Sequence, residues 1–443
     1  MSGIALVLSA RGMSVTGSDL RESRYTHALV REGIDVRIGH RAENLGDPEV
    51  VVVSSAIPAN NPELREAQRR GLPVWQRAQM LAHLAEHRST IAVAGTHGKT
   101  TTSSMVATML AEMGLAPTFL IGGEVTAFKT NAIAGHGDYY VVEADESDGS
   151  FMHLDPRVLV ITNVEADHLD HYGTLEKVEE TFVAFMDKVG PDGVLIVCRD
   201  DARLVQLSEG ARCHVVTYGH HLEADVRFTG AVPSGLGYRF EVGLPGGAVV
   251  GARTLSPGLH NVSNATAALA VAHVLGLDCS DAAEALARFE GVKRRFEHVG
   301  SIDGITVVDD YAHHPTEVSA TLEAASGLGF GRVWAVFQPH RFSRTAALAE
   351  EFGAAFDDAD RLVLLDVYSA GETPIPGVSG RTILDAVLRH APRTALTWLP
   401  HRADVVPYLA SGVGVGDLVI TMGAGDVTSL GPDLVRALET ETR

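Results

Sequence analysis

Thiols are scarce in this chain. Its 443 residues include 3 cysteines, Cys198, Cys213 and Cys279, far apart and with no CxxC pair. That spacing excludes a disulfide framework and a thiolate zinc site, and it suits a reducing cytosol. Long apolar runs are also lacking. None approaches the about 18 residues of a membrane-spanning helix, and no basic-then-apolar leader opens the chain. There is no excess of positive charge either: the formal net charge is −20, which excludes a general nucleic-acid binder. A nucleotide ligand stays open, because a few local cations and backbone N–H groups bind phosphate whatever the global charge. No repeat of fixed short period and no low-complexity tract occurs. The remainder, 45% apolar and 21% charged, is ordinary for a soluble globular protein. These features predict a cytoplasmic protein with no nucleic-acid or membrane partner, a monomer or weak homodimer.

A chain this long exceeds one hydrophobic core. Strand and helix patterns alternate along it, which implies α/β domains with parallel sheets. The pattern opens on a helix, SGIALVLSAR (2–11). A strand ending on Ser18 and Asp19 follows, then a helix around 24–33 and strands at 34–39 and 50–57. Such a sheet normally opens on a strand and a Gly-rich turn, so this first helix is an orphan. A polar joint lies at 84–90. Strands at 139–145, 157–164 and 193–198 follow, with a helix near 175–189, hairpins over 225–255, a loop feeding a helix over 256–276 and a second helix over about 280–289. A further strand–helix series then runs to the C-terminus. The reading is three α/β domains: 1–88 Rossmann-like, 89–293 a P-loop ATP-binding domain, and 294–443 Rossmann-like.

The segment 91–114 runs strand, tight turn and helix without a gap. In its turn, Gly95-Thr96-His97-Gly98-Lys99-Thr100-Thr101, the glycines allow backbone N–H groups to face a phosphate. The helix start adds its positive dipole end. Lys99 is placed for β/γ phosphates and the Thr100 hydroxyl for Mg²⁺. The strict GxxxxGK[ST] pattern fails, since Val93 stands where its first Gly belongs. Downstream, Glu143, Asp145, Glu146 and Asp148 crowd the end of one strand, where ligands of open α/β sheets bind. Glu143 still lies within the strand pattern, so it is the least suited to a merely solvated role. The next strand ends in Glu165-Ala-Asp167-His168-Leu-Asp170-His171, a cluster of the metal- or phosphate-binding type; spacing alone does not say which residue coordinates. His313 and His314 could simply cap the helix that follows. Arg341 and Arg344, after a buried strand, suit bidentate binding of carboxylate or phosphate.

The stretches AGTHGKTTT, EADESDGSF, NVEADHLDHYG, GLHNVSNATAAL, GVKRRFE, DDYAHHPTEV, QPHRFSRT and MGAGD run in order from about 94 to 426. Together they resemble the Mur ligases of peptidoglycan synthesis, and most closely the alanine-adding branch. The resemblance implies an ATP- and Mg²⁺-dependent ligase that joins L-alanine to the lactyl carboxylate of UDP-N-acetylmuramate through an acyl phosphate. It implies that Lys99 and Thr100 hold ATP and a first Mg²⁺, with Glu143 as a further ligand, and that His168 holds a second. Asn261, Asn264, Arg295 and Asp310 would bind the nucleotide. Tyr311, His313, Arg341 and Arg344 would line the amino-acid and product end. Relatives that carry a carbamylated lysine have it on the helix after the histidine loop. Here the matching position is near Phe182, with only Lys177 and Lys188 on that stretch, so no carbamate is expected. The base that deprotonates the amine is not identified, His313 being the one candidate.

Three rival readings remain: a ligase of the same family that recycles a whole peptide, a folate polyglutamylating ligase, and a P-loop nucleotide sensor without chemistry. The last needs neither the histidine cluster nor a third domain. The family's N-terminal domain opens with a strand and a loop of the type Gly-x-Gly-Gly-x-Gly-Met. MSGIA reads as the tail of that loop. On this reading the first strand and its glycines are missing, through a misassigned translation start or a truncation. The grip on the UDP-sugar is then open, and a parallel sheet edge near 15–19 is an aggregation risk.

Overall fold

The computed structural model describes residues 1–441 apart from Asp148, His168, Pro392 and Thr394. It divides into two compact units. The first comprises Met1–Gly230, Glu241–Ala252 and Ser263–Phe289; the second comprises Ala231–Phe240, Arg253–Val262 and Glu290–Arg443. No helix among the described residues is long and apolar enough to cross a membrane.

In the first unit the orphan helix is observed at Ser2–Ala10. Strands β1 (Thr16–Asp19) and β2 (Asp35–Ile38) form one parallel pair, and β3 (Val51–Val53) and β4 (Val74–Gln76) another. The strand expected over 50–57 is thus cut to three residues. After Val53 the chain passes two serines and turns, with Ile57 N–H donating to Ser54 O at 3.0 Å. Residues 1–88 fall in the same compact unit as the central sheet. Arg11 donates to Leu84 O at 2.9 Å and the Tyr140 hydroxyl to Leu81 O at 3.1 Å. Gly3 lies against Ala132, where a Cβ would come within 2.8 Å of the alanine methyl.

The central strands are β5 (Ser89–Ala94), β6 (Thr118–Val125), β7 (Thr130–Ile133), β8 (Tyr139–Glu143), β9 (Val158–Ile161), β10 (Val194–Cys198), β11 (His214–Gly219), β12 (Val226–Ser234), β13 (Gly237–Gly243) and β14 (Val249–Arg253). Their order in the sheet is β14-β13-β12-β11-β10-β9-β5-β8-β6-β7. The run from β11 to β6 is parallel, with β7 antiparallel at its edge. Continuous apolar runs such as VLVI in β9, buried throughout, are what a sheet covered on both faces requires. The parallel register brings the carboxyl ends of β5, β8 and β9 side by side, with Val93 opposite both Glu143 and Val160.

The second unit holds a six-stranded sheet of β15 (Glu297–Ile302), β16 (Ile305–Asp310), β17 (Arg332–Phe337), β18 (Arg361–Leu364), β19 (Leu396–Trp398) and β20 (Asp417–Met422). Its order is β15-β16-β20-β17-β18-β19; β15 is antiparallel and the rest parallel. Alternation along the strands builds two cores. Val333, Ala335, Phe337, Leu362 and Leu364 face one side with Val318, Leu322 and Ile383 from helices Pro315–Ser326 and Gly380–His390. Trp334, Val336, Val363 and Val419 face the other with Val405, Leu409 and Leu434 from helices Val405–Gly412 and Leu430–Glu441. A period of 2 delivers this double face, and the result is the doubly wound architecture expected of the region.

Candidate functional site

The loop after β5 is shaped by two glycines in the left-handed region. Gly95 has φ +129°, and a Cβ there would overlap Thr162 Oγ1. Gly98 has φ +81°, and a Cβ would stand 2.9 Å from Asn264 Oδ1. Only glycine meets both demands. The loop is clamped from the end of β9: Thr96 N–H donates to Asn163 O at 3.1 Å and His97 N–H to Asn163 Oδ1 at 2.8 Å. Glu165 N–H donates to Thr96 Oγ1 at 2.8 Å, and the Glu165 carboxylate lies 3.5 Å from His97 Nε2.

Helix Lys99–Glu112 starts at Gly98. After Lys99 its first turns are Thr-Thr-Thr-Ser-Ser, weak helix formers, yet Thr100 to Leu110 are buried without a break. Tertiary packing holds it. Ser103 and Ser104 return their hydroxyls to Lys99 O and Thr100 O at 2.8 Å and 2.6 Å. Thr102 Oγ1 donates to Asn264 Oδ1 at 3.1 Å, which ties the helix Leu259–Val274 to the loop.

Three predicted residues converge at the mouth of this loop. Thr100 Oγ1 donates to Glu143 Oε1 at 2.9 Å, and Glu143 Oε2 accepts from Gly122 N–H at 2.7 Å. A hydroxyl and a carboxylate at this separation are an all-oxygen donor pair, which suits a hard cation such as Mg²⁺. The Lys99 ammonium donates to Gly95 O, Thr96 O and Glu146 Oε1 at 2.6, 2.9 and 2.7 Å. Its burial alone would lower its pKa; Glu146, Glu143 and Asp145 outweigh that and raise it. Burial pushes the Glu146 carboxyl up to about 7, against the pull of Lys99. Asp145 pairs with Arg77 at 3.1 Å. His168 and Asp148 lie outside the described residues.

In the second unit Asp310, Tyr311 and His313 lie at or just after the carboxyl end of β16, and Arg341 and Arg344 follow that of β17. Asp310 is buried; its carboxylate accepts from Phe296 N–H and Ala312 N–H, both at 2.7 Å. Burial pushes that carboxyl up to about 6, against Arg295 and the two N–H donors. The Tyr311 ring lies under two guanidinium groups, Arg294 at 4.8 Å and Arg295 at 5.4 Å. Arg295 also pairs with Glu317 at 3.5 Å. His313 Nδ1 is 2.9 Å from Tyr311 O and 3.3 Å from Glu317. His314 caps the helix Pro315–Ser326, its side chain accepting from Thr316 N–H at 3.4 Å, so the capping role weighed for that residue is the one observed. Arg341 sits at φ +69° as N-cap of the helix Phe342–Ala347, which carries Arg344. Arg344 stands 3.3 Å from His340 Nδ1, and His340 stacks on Tyr368 at 5.8 Å. Burial and the guanidiniums of Arg344 and Arg341 push His340 down to about 4. Asn261 points its amide at Pro257 O, 2.7 Å away.

Residues 1–89 match the Mur ligase family, catalytic domain; residues 93–272 match the Mur ligase middle domain; residues 294–425 match the Mur ligase, glutamate ligase domain. The chain belongs to the Mur ligase family. Among its relatives, UDP-N-acetylmuramate–L-alanine ligase of Pelotomaculum thermopropionicum is 47% identical over 99% of this chain and 95% of its own. The protein of that name from Rubrobacter xylanophilus is 48% identical over 99% and 97%. The crystal structure of UDP-N-acetylmuramate-alanine ligase from Thermotoga maritima superposes with a TM-score of 0.83 at 29% identity, covering 100% of this chain and 97% of that one. A murein peptide ligase from Psychrobacter arcticus gives 0.72 at 26%, with 99% and 96% covered.

Sequence reasoning had assigned this Mur ligase's loop no clamp, yet Thr162 and Asn163 provide one. Their position, directly after a buried strand, was the available signal. It likewise missed Asp309, which is buried and accepts from Arg294 Nε at 3.1 Å, Thr421 Oγ1 at 2.6 Å and Thr428 Oγ1 at 2.8 Å. Those three partners are scattered over 135 residues of sequence, so no local motif announces the network.

Proposed function

We propose that this Mur ligase joins L-alanine to the lactyl carboxylate of UDP-N-acetylmuramate with consumption of ATP. In this reading residues 1–88 hold the UDP-sugar, 89–293 the ATP, and 294–443 the amino acid and part of the nucleotide. The observation that carries it is the convergence of Lys99, Thr100 and Glu143 on one glycine-shaped loop. Its specificity rests on the relatives near 47% identity over the full chain.

A free carboxylate acylates poorly because oxide is a poor leaving group. Transfer of the γ-phosphoryl group to it creates an acyl phosphate; the neutral amine then attacks and phosphate departs. The loop N–H groups and the start of helix Lys99–Glu112 bind the phosphates. Lys99 meets the charge that gathers on the transferring group. Thr100 and Glu143 would hold a Mg²⁺, which neutralises phosphate charge when bound; His168 is assigned a second. Asn261, Asn264, Arg295 and Asp310 are assigned to the nucleotide. Tyr311, His313, Arg341 and Arg344 are assigned to the amino-acid and product end, where two guanidiniums three residues apart suit a carboxylate.

Phosphate release with UDP-N-acetylmuramate and L-alanine, set against the same assay with a tripeptide, tests the assignment. Release with L-alanine supports it; release with the tripeptide alone turns it into the peptide-recycling activity.

A further inference from the structure

The Lys99 ammonium has three N–H donors, and the loop uses all three: on Gly95 O, Thr96 O and Glu146 Oε1. A phosphate oxygen that is to reach Nζ therefore has to take over a donor already committed. Two of the acceptors cannot withdraw. They are backbone carbonyls of a loop held by Asn163 and wedged at Gly95 against Thr162. The third is a side chain with rotatable bonds. Its backbone is secured independently, since Glu146 O accepts from Gly149 N–H at 3.0 Å and from the Tyr172 hydroxyl.

We propose that Glu146 is the exchangeable counter-ion of Lys99, a positioning residue that holds the ammonium at the mouth of the loop and yields it to the terminal phosphates of the nucleotide. The proposal rests on the nucleotide assignment above and goes beyond it, because no role for Glu146 follows from the phosphate loop as such.

Burial supports the exchange. Glu146 is 2% exposed, so water contributes little to its charge and Lys99 is its principal compensation. Asp145 and Glu143 add to the negative field at the lysine, but Asp145 also pairs with Arg77 at 3.1 Å and Glu143 accepts from Thr100; Glu146 is the carboxylate that accepts directly from Nζ, at 2.7 Å. When triphosphate enters, breaking a close ion pair and bringing polyanion toward a buried carboxylate both oppose binding. Wild-type affinity is accordingly lower than the loop alone would give. The benefit is a buried ammonium kept charged and fixed over the loop carbonyls.

Isothermal titration of the full chain with the non-hydrolysable analogue AMP-PNP, at fixed Mg²⁺, tests this. Glu146→Gln keeps the shape and one acceptor but removes the charge, and it should bind about tenfold more tightly than wild type. KM for ATP should fall by a similar factor, while KM for L-alanine stays unchanged. A purely structural ion pair would give the opposite, weaker binding in step with lost stability. Glu146→Ala, which also removes the charge, should shift affinity in the same direction and serves if the glutamine variant does not fold. Equal or weaker AMP-PNP binding in a folded variant, with wild type binding normally, overturns the counter-ion role alone. Failure of wild type to bind AMP-PNP at all overturns the nucleotide assignment and this proposal with it.

Discussion

At the scale of single residues, charge and backbone sterics decide what the loop can do. Lys99→Ala removes the ammonium that we assign to the transferring phosphoryl group. Turnover should drop about 10²–10³-fold with the far-UV circular dichroism spectrum unchanged; retention of full activity would contradict the assignment. Gly98→Ala forces a Cβ to φ +81° and to 2.9 Å from Asn264 Oδ1, which should destabilise by about 1–2 kcal/mol in urea unfolding. His340 gives a pH prediction. Burial, then Arg344 and Arg341, place its folded pKa at about 4, below the about 6.5 of the unfolded chain. Stability from keeping it neutral is therefore complete above pH 6.5 and is lost as pH falls toward 4. His340→Gln should flatten the decline of the urea midpoint across that window; a decline parallel to wild type would show that other groups cause it.

At the scale of elements, the legible parts were those whose pattern is local. Strand β5, its glycine turn and the helix from Lys99 were readable because buried strand, φ-permissive glycines and phosphate-facing residues are contiguous. So were β16, β17 and β20, whose alternation fills two cores. Strands β4, β6, β7, β11 and β15 were not singled out. Several are short or lie at sheet edges, where half-buried residues dilute the alternation, and β15 pairs with β16 through an irregular register at His298 and Gly300. The expected 50–57 strand shrank because apolar composition did not show where pairing stops. Asp417 illustrates a contact no pattern reveals: it joins the start of β20 to β17 by accepting from Arg332 Nε at 2.9 Å and Trp334 Nε1 at 3.1 Å. With its side chain 4% exposed, Asp417→Ala leaves Trp334 Nε1 and Gly414 N–H without their acceptor while the part-exposed Arg332 regains water; it should cost about 1–3 kcal/mol, read as a lower denaturant midpoint at unchanged slope.

At the scale of the whole molecule, the order of motifs along the chain carried more than any one of them. The phosphate loop alone fits any nucleotide-binding protein. The Mur ligase domains matched over residues 1–89, 93–272 and 294–425 narrow it to a Mur ligase. The full-length likeness to alanine-adding relatives narrows it further. A methyl group in a pocket decides only about 1–3 kcal/mol, so glycine and L-serine should be poorer substrates that still turn over. The alanine-adding activity is tested most directly by ADP release from the full chain with Mg²⁺·ATP, UDP-N-acetylmuramate and a panel of amino acids. Release should occur only when sugar nucleotide and amine are both present, fastest with L-alanine. Release at the same rate without UDP-N-acetylmuramate, or without any amine, would contradict it.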